Sequence, residues 1–313
     1  FAEYTQVIAD KLGDRVSNWM TLNEPQCFVS IGHQSGIQAP GDKIPFRELV
    51  RIMHHVLVSH GTATQVLRAR CPKPVKVGIA PAVAAFAPAT DSPADVEAAR
   101  IATWSTRSKS AFGNSWWLDP IIEGTYPEDG KALFGDDFCS SYENDLGTIK
   151  QQLDFIGINL YFGEVVRAGE NGKPEVVHPA VGNPQTAFRW NVVPQMLYWQ
   201  PKLHWERYQI PILITENGMS GIDWVSQDGK VHDPQRIDFL SRYIGELKRA
   251  AAEGVEMLGY LQWSLLDNFE WAEGYKERFG LVHVDYQTQK RTPKDSIYWY
   301  KKVIESNGAD LSI

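Results

Sequence analysis

Apolar positions along this chain alternate between a spacing near that of a helix turn and short unbroken runs, and the alternation divides it into helices and strands. Phe1, Tyr4, Ile8 and Leu12 recur at helical spacing before Gly13, predicting an amphipathic helix already under way at residue 1. The apolar stretch that closes on "TLNEP" (21–25) predicts a strand. A loop, "GHQSGIQAPG", then a helix from Phe46 to Ala69 and the strand "VKVGIA" (75–80) follow it. A further helix is expected over Pro93 to Ser110, then a crossover rich in Trp and Pro, then the β-rich run "LDFIGINLYF" (153–162). Gly163 to Asn191 is polar and poorly periodic, which predicts a long surface loop of the kind that shapes a binding site. Helical "PQMLYWQPKLHWERY", the strand "PILITENG", the helix "PQRIDFLSRYIGELKRAAAEG", the strand "EMLGYLQWSLL" and a last helix from Asp295 to Ser306 complete the chain.

Strands that alternate with helices imply right-handed crossovers and a parallel sheet, either doubly wound or closed into a (β/α)8 barrel. Only five strands are found, with no internal repeat, and residues 1–313 are expected to form a single catalytic domain.

The 313 residues are 43% hydrophobic and 22% charged, the balance of a globular protein, and no apolar run approaches a membrane span. A net charge of -7 without a cluster of Lys and Arg excludes a nucleic-acid binder. Cys27, Cys71 and Cys139 are odd in number and widely separated, so neither a disulfide framework nor a zinc site is expected, and a cytoplasmic location is the simplest assignment. His54, His55 and His60 share a helix, but spacings of five and six residues do not put two metal ligands on one face. No metal or other cofactor is expected.

Two strand ends carry the same unusual punctuation: Glu24 beside Asn23 in TLNEP, and Glu216 beside Asn217 in "ITENG". In parallel α/β folds the strand ends gather at one face, so the two carboxyls are expected near each other. Such a pair performs glycoside hydrolysis, with one acid protonating the leaving oxygen while the other attacks the anomeric carbon or activates water. Gly157, Asn159 and Tyr161 share one strand parity and offer an amide and a phenol to the same face. The last strand runs into "WSLLDNFEWAEGYKERFG", where Trp263, Phe269, Trp271 and Phe279 surround Glu270. Indole faces stack on the C–H faces of a pyranose, and a carboxylate bridges its hydroxyl rim; a packed aromatic cluster is the alternative.

With TLNEP, ITENG and WSLLDNFEW, and with "NSWWLDPIIEGTYP" (114–127) and "RFGLVHVDYQTQKRTPKDS" (278–296), the chain closely resembles glycoside hydrolase family 1, the retaining β-glucosidase type. The resemblance implies a (β/α)8 barrel of which this chain holds strands four to eight and their helices. It implies that Glu24 is the general acid/base and Glu216 the nucleophile, with Asn23 on the sugar 2-hydroxyl and Tyr161 and Asn159 orienting the nucleophile. Trp263, Glu270 and Trp271 would hold the glycone, Phe279 would close that pocket, and Trp190 would be the platform for the leaving group. The substrates implied are β-glucosides or short β-linked oligosaccharides such as cellobiose, with β-galactosides or β-fucosides as further glycones. Double displacement predicts carboxyls about 5 to 5.5 Å apart, against about 6.5 to 9.5 Å for an inverting pair.

The chain departs from the family pattern at Gln26, where a Trp is often found, at Asn191 and Met196 in the Trp190 segment, and in "NLYF" in place of "NYYT". It also begins in what resembles the third helix of the barrel. A segment of roughly a hundred residues or more, in the same or another chain, is expected to supply the first three βα units, since an open arc leaves two edges unpaired. Rival readings are a non-catalytic sugar-binding relative or inactive fragment, and a 6-phospho-β-glucosidase, which Glu270 would disfavour by repelling phosphate. A thioglucosidase would carry Gln in place of Glu24.

Overall fold

The computed structural model describes residues Phe1–Ile313. Its main elements are α1 (Ala2–Leu12), β1 (Asn18–Asn23), α2 (Pro25–His33), α3 (Phe46–Arg70), β2 (Lys76–Ala80), α4 (Pro93–Trp104), α5 (Asn114–Ile122), β3 (Phe155–Asn159), α6 (Met196–Tyr208), β4 (Ile212–Asn217), α7 (Pro234–Ala252), β5 (Met257–Gln262) and α8 (Asp295–Glu305). The chain divides into two compact units. One comprises Phe1–Ala84, Arg100–Asn159 and Arg207–Leu213; the other comprises Ala85–Ala99, Leu160–Glu206 and Ile214–Ile313.

In the first unit β1 runs parallel to β2, with Trp19 opposite Val77 and Asn23 opposite Ala80, and the register slips between Met20 and Asn23. β2 runs parallel to β3, Gly78 opposite Phe155. A Cβ at Gly78 would lie 2.4 Å from the Phe155 ring, so only glycine lets that ring cover the strand. Every residue of β3 is buried, as its unbroken apolar run anticipates.

α1 exists where the periodicity puts it but faces the other way. Phe1, Tyr4 and Leu12 are exposed, and Thr5 and Ala9 are buried instead. Ala9 joins Leu67 of α3 and Val77 of β2 in one cluster, and a Cβ on Gly13 would come within 2.8 Å of the Cys71 sulfur. Close approach selects the small residues for the inner side, which a count of large apolar positions cannot see.

α3 buries Leu49, Val50, Met53 and Leu57 along one stripe. Its histidines serve packing: His54 bonds the Tyr126 hydroxyl at 2.9 Å and Asp145 at 3.0 Å, and His60 Nδ1 meets the Thr21 hydroxyl at 2.7 Å. Burial pushes His60 down to about 3 and also lowers His54 against the pull of Asp145. The structure holds no cluster of three metal-ligating side chains. None of its helices is long and apolar enough to cross a membrane.

In the second unit Trp263 donates its backbone N–H to the Asn217 carbonyl at 2.9 Å, tying the end of β5 to the end of β4. The stretch expected as a loop after Gly163 contains a hairpin, Glu164–Ala168 against Pro174–Val177, which extends a three-stranded sheet through Phe86–Pro88. Asn171 and Gly172, both at positive φ, turn that hairpin. Its Val pairs were hidden among charged residues that line the exposed side, which made the segment look featureless. Two more differences are local: α2 follows TLNEP directly, and α4 stops at Trp104 where a helix to Ser110 was expected.

Three acids and three bases interlock inside this unit. Arg236 donates to Asp223, Asp233 and the Arg278 carbonyl, and Lys294 donates to Asp223 at 2.5 Å and Asp267 at 2.8 Å. Asp267 also accepts from Arg278 at 2.6 Å and from the Gly280 N–H at 3.0 Å. The aromatic motif after β5 is thereby tied at both ends to one buried, charge-balanced knot, whose value lies more in fixing a conformation than in net stability.

Candidate active site

Glu24 leaves β1 with its backbone in the left-handed region, φ 45° and ψ 59°, and is the N-cap of α2. Pro25 then takes the first helical position, where its missing N–H costs nothing. The Glu24 N–H donates to Ala80 at 2.7 Å, so the turn is pinned to β2. A non-glycine residue held this way costs about 1 to 3 kcal/mol, which the surrounding bonds offset. The side chain is half-buried, and its Oε1 accepts from Asn159 Nδ2 at 3.0 Å. The same amide donates to Asn23 Oδ1 at 2.9 Å, which uses both Nδ2 hydrogens. Asn159 is itself buried and clamped at the end of β3, donating to Pro81 and accepting from Val83. Gln26 is wholly buried, and its Oε1 receives the Ala82 N–H at 3.1 Å, so its amide braces the backbone beyond β2.

The second unit holds Glu216 differently. The Tyr161 hydroxyl donates to Glu216 Oε2 at 2.6 Å, the length of a charge-assisted bond. Asn217, fully buried, donates to the Leu160 carbonyl at 2.6 Å and accepts from the Tyr260 hydroxyl at 2.7 Å, which locks the end of β4 on both sides. Neither Asn217 nor Tyr260 was singled out as a bracing residue from sequence, although the amide beside Glu216 was the visible sign.

Around Tyr161 the aromatic residues converge: Trp190 lies 5.4 Å away, and buried Phe279 meets it edge-on at 5.9 Å. Trp263 is half-buried beside Gly218, where a Cβ would sit 2.0 Å from the Trp263 carbonyl oxygen; that close approach fixes the Gly of ITENG. The Trp263–Ser264 peptide is cis. Glu270 is half-buried, with its N–H on the Gly274 carbonyl at 2.6 Å, whereas Trp271 is 64% exposed at the tip of the same loop. The residues nominated from sequence therefore gather in two constellations. Asn23, Glu24 and Asn159 form one; Tyr161, Glu216, Trp190 and Phe279 form the other, with Trp263, Glu270 and Trp271 in the same unit.

Residues 1–309 match the sequence pattern of glycosyl hydrolase family 1. The chain belongs to glycosyl hydrolase family 1. This family 1 chain is 41% identical over 312 residues to beta-glucosidase A of Thermotoga maritima, covering 99% of itself and 68% of that protein. It is 42% identical over 310 residues to 1,4-beta-D-glucan glucohydrolase of Thermotoga neapolitana, again spanning 68% of the relative. The solved beta-glucosidase from Thermotoga maritima in complex with glucoimidazole superposes with a TM-score of 0.87 at 41% identity, over 99% of this chain and 68% of that one. The fold class is accordingly α/β, with the strand and helix units of the later part of a (β/α)8 barrel, and the enzyme class is that of hydrolases acting on O-glycosyl bonds.

Proposed function

We propose that this family 1 chain carries the catalytic groups of a retaining β-glucosidase, with Glu216 as nucleophile and Glu24 as general acid/base. The observation that carries the reading is the Tyr161 hydroxyl held 2.6 Å from Glu216 Oε2, because a phenol donor at that length fixes the carboxylate and aims its other oxygen. In the first step Glu216 attacks the anomeric carbon, the bond to the leaving oxygen breaks, and the Glu24 proton passes to that oxygen. In the second step Glu24, now a carboxylate, takes a proton from water; the water oxygen attacks the same carbon and the ester to Glu216 breaks. Two inversions give net retention. Asn159, which donates to Glu24 through a neutral amide, leaves the other carboxyl oxygen to carry the travelling proton.

Asn23 takes the sugar 2-hydroxyl in this reading, Trp263, Glu270, Trp271 and Phe279 bind the glycone, and Trp190 faces the leaving group. The substrates are β-glucosides and short β-linked oligosaccharides such as cellobiose, with β-galactosides and β-fucosides as further glycones. Three free thiols fit a reducing, cytoplasmic setting. Following hydrolysis of 4-nitrophenyl β-glucoside by proton NMR tests the reaction: β-glucose forms first if the reading holds. First formation of the α-anomer, or labelling of a residue other than Glu216 by a 2-fluoro glycosyl inactivator, overturns it.

A further inference from the structure

Tyr161, Trp190, Phe188 and Phe162 form a run of aromatic rings that begins at Glu216 and ends in solvent. Tyr161, whose hydroxyl is on Glu216, has its ring 5.4 Å from Trp190. Trp190 in turn stacks on Phe188 at 4.3 Å with 24° between planes and on Phe162 at 4.9 Å with 25°. Trp190 and Phe188 are half-buried, while Phe162 is 49% exposed, so the outermost free ring of the run belongs to Phe162. Adjoining Trp190, Gln185 donates its amide to the Asn191 side chain at 3.1 Å, and this exposed pair keeps further polar positions free toward solvent.

Resting on the reading of Glu216 as nucleophile, we propose that Phe162 is a specificity-determining residue that stacks on the second sugar ring of a leaving group. An extended pyranose presents an apolar C–H face and a hydroxyl rim, and the site offers both complements: an open phenyl face and neighbouring amides. The first ring of the leaving group is assigned to Trp190 and the second, one step farther along the run, to Phe162. A leaving group of two rings, such as the cellobiose released from cellotriose, gains the second contact. Adjacent side chains in the segment that follows β3 thus divide the labour, with Tyr161 serving the nucleophile and Phe162 the far end of the substrate.

The test compares wild type, Phe162→Ala and Phe162→Tyr on 4-nitrophenyl β-glucoside, octyl β-glucoside, cellobiose and cellotriose. Phe162→Ala should lower kcat/KM for cellotriose about fivefold, through KM, and change the other three less than twofold. Phe162→Tyr, which keeps the ring, should restore cellotriose. An equal fall on all four substrates would show that Phe162 only supports Trp190, and a selective loss on octyl β-glucoside would show a hydrocarbon surface; either result overturns the proposal. Calorimetric binding of cellotriose and cellobiose, measured with Glu216→Gln added to each protein so that neither sugar is consumed, separates the two readings. If wild type turns over none of the substrates yet Phe162→Ala weakens cellotriose alone, the glucosidase reading falls and the stacking surface stands. If turnover is normal and the two affinities move together, the stacking surface falls.

Discussion

Glu24 and Glu216 both end a parallel strand beside an asparagine, yet the protein holds them by different means. Glu24 has a strained left-handed backbone, a bond to the neighbouring strand through its own N–H, and a neutral amide donor that it shares with Asn23. Glu216 continues its strand, takes a phenol hydroxyl at 2.6 Å, and stands among aromatic rings. A carboxyl that must gain and lose a proton in each turnover is better served by a donor that does not strongly favour the anion. A nucleophile is better served by one that does. In the proposed mechanism it is the surroundings, more than the residue type, that separate acid/base from nucleophile.

Removing each carboxyl gives the largest effects and the sharpest separation. Glu216→Gly should lower kcat by at least about 10⁴-fold on every substrate, because the covalent step has no substitute. Glu24→Gln should cost about 10² to 10⁴-fold on cellobiose, whose leaving group needs a proton, and far less in the glycosylation step of 2,4-dinitrophenyl β-glucoside, whose leaving group does not. Steady-state and burst kinetics on the two substrates measure both. If Glu24→Gln were equally slow in that step with either leaving group, the acid role would be wrong.

The two donors give a smaller contrast. Tyr161→Phe removes a bond to a charged group, about 1.5 to 3 kcal/mol, and should cost roughly 10 to 100-fold in kcat/KM on all leaving groups. Asn159→Ala removes weaker bonds on the Glu24 side and should cost roughly tenfold, concentrated on leaving groups that need the acid. A larger and uniform loss at Asn159 would reverse the comparison.

Sequence reading nominates the carboxyls because each breaks an apolar run with a charge, and Tyr161 and Asn159 by strand parity; the strand itself ends at Asn159, which donates to Asn23 and Glu24, while the phenol on Glu216 comes from the segment after it. The inner side of α1 was out of reach, since Ala9 and Gly13 are chosen by the closeness of α3 and Cys71, a distance that no periodicity encodes. The hairpin at Glu164–Val177 was masked for a related reason: its alternation survives only as Val pairs between charged neighbours. Asn217 and Tyr260 act as braces only because two strand ends meet, and that pairing is a tertiary fact. Local chemistry was legible where one residue type violates its surroundings, and illegible where two distant segments choose each other.

The smallest expected effect concerns how the Glu24 side responds to acid. His60 supports β1 through Thr21, two residues before Asn23, and burial holds its imidazole at about 3, well below the ordinary value of 6.5. Its folded-state affinity for a proton is depressed, so the unfolded chain binds the proton first as the pH falls. The stabilising contribution is therefore complete above pH 6.5 and drains away toward pH 3, at up to about 1.4 kcal/mol per pH unit. His60→Gln keeps a polar partner for Thr21 and cannot titrate there, so it should cost about 1 kcal/mol at pH 7.5, break even near about pH 6 and be the more stable form at pH 4.5. Urea midpoints at pH 7.5, 5.5 and 4.5 for both proteins give the two slopes. Curves that cross locate an acid-sensitive support beneath the strand that carries Glu24, whereas parallel curves would show that His60 takes up its proton equally in the folded and unfolded chain.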